Sequence, residues 1–92
     1  MDNKLSGQYK VTPELVASKV KSIMFTKIGD RLTHCTVTLE NGFLVTGESS
    51  CVDPAEYCQE TGERIAKDRA MDKIWMLEAY LLREAFHNAE TQ

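Results

Sequence analysis

The side chains that could do chemistry in this chain fall into four small groups. His34 and Cys35 are adjacent, with two further cysteines at Cys51 and Cys58. A zinc site or an activated thiol would need these groups to converge, but neighbouring strand residues point to opposite faces and no metal-like spacing is present. No metal is therefore expected, and nothing is placed to orient a His–Cys catalytic pair. Arg69 and Lys73 are both basic at i, i+4, so they repel unless Asp72 or a bound anion lies between them. Phe43 follows Asn41-Gly42 directly. It either closes the end of a core or offers a flat ring for a nucleobase, a stacking contact worth about 1 to 3 kcal/mol. Asp53 precedes Pro54 and reads as a helix N-cap whose carboxylate could also accept from a base edge or a ribose hydroxyl.

These groups must be positioned by a strand, turn, strand, helix order. Asn41-Gly42 between runs rich in Thr, Val and Leu predicts a hairpin with a two-residue type I′ turn. Arg31 to Leu39 alternates Thr33, Cys35, Val37 and Leu39 with Leu32, His34, Thr36 and Thr38, which predicts a strand. Ser22 to Ile28 and Phe43 to Glu48 supply two more, and short connections favour an antiparallel meander. Thr12-Pro13-Glu14 opens a short helix of two to three turns, with Leu15, Val16, Val20 and Ile23 on one face. From Pro54 to Phe86 the composition is helical, opened by Asp53-Pro54-Ala55-Glu56, with a bend or break expected at Gly62. The fold class is thus α+β: a meander of three or four strands, a short N-terminal helix and a long C-terminal helical segment. Residues 1–10 and 87–92 are polar and unpatterned and read as flexible tails around one domain, 11–86.

The later half of the helical segment, from Ala70 to Phe86, is apolar around more of its circumference than one sheet covers, which predicts a homo-oligomer. Earlier in the segment, Glu60 with Arg64 and Glu63 with Lys67 form i, i+4 pairs of a solvated face. A chain of 92 residues with a net charge of −3 and no basic run is a poor partner for duplex nucleic acid. Three cysteines without a signal-like start argue for reduced thiols, and no apolar run is long enough for a membrane span.

The string TLENGFLVTGESSCVDP, together with KIWMLEAYLL at 73 to 82, resembles a family of small phage proteins that includes the Thoeris anti-defence proteins. The resemblance covers roughly residues 20 to 83, and its most specific parts are NGF, TGES, CVDP and KIW. It implies sequestration of a cyclic nucleotide immune signal, a cyclic ADP-ribose isomer or a cyclic oligonucleotide, in the cytoplasm of an infected bacterial host. It also implies a hexamer, with a dimer as the alternative. In such proteins Phe43 matches a position that stacks on adenine, Asp53 a base-contacting position held by Asn in some relatives, and Arg69, with Lys73 beside it, a phosphate-contacting one. These groups meet between neighbouring subunits in the family, and the sponge needs neither a catalytic residue nor a cofactor.

Two rivals carry no motif of their own. One is a phage module that inhibits a host protein through the exposed apolar helix or a sheet edge. The other is a hydrolase of the same signals, for which His34 or Glu48 would have to titrate beside the ligand.

Overall fold

A computed structural model describes residues 10–90. Helix α1 (Pro13–Ser18) is followed by strands β1 (Val20–Ile28), β2 (Leu32–Leu39) and β3 (Leu44–Ser50), a 3₁₀ turn (Pro54–Glu56) and helix α2 (Gln59–Glu90). The strands form one antiparallel sheet in chain order, β1-β2-β3, so the fold is α+β with a three-stranded meander. Residues 1–9 and 91–92, which include most of the expected tails, lie outside the described residues, and His87 to Glu90 continue the helix.

The N-terminal helix is shorter than its apolar spacing predicts. Thr12 accepts a hydrogen bond from the Leu15 N–H at 3.1 Å as the N-cap, but the Lys19 N–H closes the helix on Val16. Val20 and Ile23 belong to β1 instead, where their branched side chains fit the pleat.

The hairpin forms where Asn41-Gly42 places it, with a different loop. The Leu39 N–H donates to the Phe43 carbonyl at 2.8 Å and the Gly42 N–H to the Leu39 carbonyl at 2.9 Å, leaving residues 40–42 as a three-residue loop. Gly42 sits at φ 92°, the left-handed position that ends such a loop. Phe43 therefore precedes β3 rather than opening it.

On β2 the alternation is clean. Thr33, Cys35, Val37 and Leu39 are buried against α2, while Leu32, His34, Thr36 and Thr38 lie on the other face, which no element covers among the described residues. Burial pushes the Cys35 thiol pKa up; the Lys67 charge lowers it by less, and the Glu63 charge adds a smaller rise. The core comprises Val16, Cys35, Val37, Leu39, Val45, Ala66, Ala70 and Ile74.

Gly62 does not break the helix. The break falls earlier, at Tyr57, whose φ and ψ of −61° and 130° are extended, so Pro54–Glu56 is a separate 3₁₀ turn and α2 runs unbroken for 32 residues. Gly62 serves close packing: a Cβ there would lie 2.6 Å from the Thr33 hydroxyl oxygen. Gly47 on β3 does the same from the sheet side, since a Cβ would overlap the Ala66 carbonyl and the Ala70 amide nitrogen. Glycine meets alanine across this contact, and backbones approach more closely than larger side chains permit.

The helix is longer than its support. Thirty-two residues span about 48 Å, whereas the eight residues of β2 span about 27 Å. The described chain is accordingly elongated, 57 × 20 × 20 Å.

Candidate ligand-binding site

The turn end of the sheet presents the first candidate surface. The Asn41 side-chain oxygen accepts the Phe43 N–H at 3.0 Å, which fixes the loop and holds Phe43 outside the core at 56% exposure. Alongside it the second half of α2 supplies Leu77, Glu78, Tyr80 and Leu81, and with Leu39, Asn41 and Phe43 these enclose a cleft of about 220 Å³. Two aromatic side chains, Phe43 and Tyr80, border it.

Glu78 is the polar group of this region. Only 9% exposed, it meets the Lys19 ammonium through Oε1 at 3.4 Å, tying α2 to the end of α1. A carboxylate buried to this degree is ordinarily retained only with a partner. It also borders the adjoining hollow with Lys19, Glu40 and Asn41, and a groove of about 300 Å³ against Leu15, Leu82 and Ala85. Sequence reasoning missed Leu77, Glu78 and Tyr80. A signal was present, since Glu78 is the one charged residue between Ile74 and Leu82.

The opposite end of the sheet carries Asp53. Its Oδ1 accepts from the Ala55 N–H at 3.0 Å, so the residue caps the 3₁₀ turn. Nearby, Arg31, Thr33, Cys51, Tyr57, Cys58 and Thr61 line a cleft of about 270 Å³. The Tyr57 hydroxyl is 3.0 Å from the Thr33 hydroxyl, and the Lys27 ammonium lies 4.3 Å from the Tyr57 ring centre. Arg31 donates to the Val52 carbonyl at 3.2 Å. Hydrogen bonds from the Thr61 hydroxyl and amide hold the exposed Cys58 thiol below its usual pKa. Phe43 and Asp53 flank opposite ends of β3, whose seven residues span about 23 Å. One chain therefore does not bring them together.

Arg69 lies between the two ends. Its guanidinium donates to the Glu48 carbonyl at 2.8 Å. The Leu39 N–H bonds the Phe43 carbonyl and the Cys51 N–H bonds the Arg31 carbonyl, so in the β2–β3 register the backbone groups of Val45, Gly47 and Ser49 point to β2, and the Glu48 carbonyl belongs to the free edge. Arg69 thus covers an open strand edge, a place where an unpaired backbone invites another chain. Lys73, one turn further along α2, is exposed.

His34 and Glu48 are cross-strand neighbours on the uncovered sheet face, with Nε2 and Oε2 4.0 Å apart. Neither lines the clefts above. Among the described residues no three His, Cys, Asp or Glu side chains gather as a metal site, and no helix is long and apolar enough to cross a membrane.

Residues 11–86 match the model of the phage protein (N4 Gp49/phage Sf6 gene 66) family. No curated protein and no solved structure matches the chain.

Proposed function

Because the chain belongs to the N4 Gp49/phage Sf6 gene 66 family of phage proteins, we propose that it sequesters a cyclic nucleotide signal, without cleaving it, in the cytoplasm of the infected bacterial host. The observation that carries this reading is the exposed Phe43 ring, carried on a loop backbone that Asn41 fixes and bordering, with Tyr80, a largely apolar cleft. A loop already fixed before binding need not be ordered when a base stacks on its aromatic ring. A cyclic ADP-ribose isomer or a cyclic oligonucleotide supplies such a base together with phosphates for cationic contacts.

One cleft is too small for such a ligand. At about 220 Å³ it falls below the roughly 300 to 1,000 Å³ usual for small-molecule sites. A second copy of the chain completes the enclosure in this proposal, burying exposed Trp75, Met76 and Tyr80 and delivering Asp53, Arg69 and Lys73 from the neighbour. Assembly into a hexamer, or at least a dimer, is part of the same proposal. Sequestration requires affinity and enclosure but no general base, so the protein is proposed not to be an enzyme.

A second reading, inhibition of a host protein, draws on the same exposed apolar residues of α2. The two are separated by titration calorimetry against cyclic ADP-ribose isomers and cyclic di- and trinucleotides, followed by heating and chromatography of whatever is released. Tight binding with intact release supports sequestration. A cleaved product overturns it in favour of hydrolysis, and silence across the panel leaves the host-protein reading.

A further inference from the structure

Two of the three cysteines come to one end of the sheet from different elements. Cys51 continues β3: its N–H donates to the Arg31 carbonyl at 3.0 Å, one step beyond the Leu32–Ser50 pair. By strand alternation it shares a face with Ser49, the face that packs on α2. Cys58 directly precedes α2, and its carbonyl accepts the Gly62 N–H at 2.9 Å. Gly62 in turn lies against Thr33, the register partner of Ser49. Cys51, half-buried, and Cys58, exposed, therefore line one cleft of about 270 Å³, whereas Cys35 is sealed in the core and does not line it.

The two cysteines differ in how they are held. The Cys58 sulfur accepts hydrogen bonds from the Thr61 hydroxyl and amide at the positive end of a 32-residue helix, a setting that favours the thiolate. The short segment joining it to Cys51 is loosely attached: Val52 is 91% exposed, and Asp53 caps only its own 3₁₀ turn. Closing so short a loop costs little entropy. We propose that Cys58 and Cys51 form a two-thiol redox site, in which Cys58 attacks a low-molecular-weight disulfide and Cys51 resolves the adduct into a disulfide across the cleft. In the first step the Cys58 thiolate displaces one thiolate from the small disulfide and forms a mixed disulfide. In the second, the Cys51 thiolate attacks the Cys58 sulfur and expels the other small thiolate. Two cysteine thiols are oxidised by two electrons, the small disulfide is reduced to two thiols, and the two cysteine protons end on them. Because a disulfide brings its Cβ atoms to about 3.8 Å, the Cys58 sulfur leaves Thr61 and the first turn of α2 is drawn toward β3, closing the cleft. The site is independent of the Phe43 cleft and of the sequestration reading.

Oxidised glutathione is the probe. The reduced, intact protein is incubated with it at neutral pH, quenched in acid and cut with glutamyl endopeptidase, which separates the three cysteines by cleaving after Glu40, Glu48 and Glu56. Mass spectrometry is expected to find the Cys51 and Cys58 peptides joined, with no lasting glutathione adduct. Cys51→Ser is expected to stop at an adduct on Cys58, and Cys58→Ser to react at least about tenfold more slowly. In urea, where no cleft holds the thiols, pairs that include Cys35 are expected as well. A lasting adduct on Cys58 of the unaltered protein overturns the inference without any variant, and so does pairing with Cys35 in the folded chain or a disulfide between two chains. Undiminished reaction of Cys58→Ser removes the assignment of Cys58 as the attacking thiol. Exclusive pairing of Cys51 with Cys58 in urea also overturns the inference, since sequence spacing alone would then account for it.

Discussion

The two halves of α2 are built from different material. Toward the N-terminus the helix buries Gly62, Ala66, Ala70 and Ile74, one residue per turn and three of them small. Toward the C-terminus it exposes Trp75, Met76, Leu77, Tyr80 and Leu81, all large. Small residues let the helix backbone lie close to the sheet, and large ones left uncovered provide contact area for something else. A single helix is thus divided between making a core and offering a surface, with Ile74 and Glu78 at the join.

Breaking the first half should cost the most. Gly47→Ala places a methyl group against the α2 backbone, which cannot rotate away as a side chain would, and is expected to destabilise by about 3 kcal/mol or more in urea unfolding followed by circular dichroism. Gly62→Ala meets the Thr33 hydroxyl, which can turn aside, and gains about 1 kcal/mol of helix propensity. A net loss of about 1 to 2 kcal/mol is expected in the same assay. Phe43→Ala, on the surface half, should shift unfolding by no more than about 0.5 kcal/mol yet weaken cyclic nucleotide binding by about 1 to 3 kcal/mol in calorimetry. An equal loss in both assays would mean that Phe43 is part of the core.

The smallest perturbation leaves the fold alone. Cys58 is exposed with its thiol pKa lowered by Thr61, whereas Cys35 is buried with its thiol pKa raised. At neutral pH iodoacetamide should label Cys58 first and Cys35 last, as read by mass spectrometry, and the Cys58 rate should rise at lower pH than that of an ordinary cysteine. Early labelling of Cys35 would show that the sheet and α2 separate readily.

What the sequence disclosed was local. The period-two pattern of β2 identified its buried face, because one strand face packs on α2 and the other remains open. Asn41-Gly42 located the hairpin but not its loop length, since a glycine at positive φ serves both a two-residue turn and the observed three-residue loop. Gly62 looked like a weak point because a helix-propensity argument cannot see Thr33, 29 positions away and in contact. The same blindness applied to Arg69, which read as one of a repelling basic pair until its partner, the Glu48 carbonyl, was visible. Phe43 was legible as an aromatic next to a turn. Its cleft was not, because Leu77, Glu78 and Tyr80 reach it only through the packing of α2 on the sheet.

The order of elements has a consequence during synthesis. At roughly 5 to 20 residues per second, the two hairpin connections, residues 29–31 and 40–43, leave the ribosome early, and hairpins close within about 10 μs. The surface that needs α2 cannot be covered until Ala66, Ala70 and Ile74 have also emerged. Until then the sheet lacks the cover that buries Cys35, Val37 and Val45 in the finished fold. In this interval, rather than in the finished molecule, the chain is most open to capture by a chaperone.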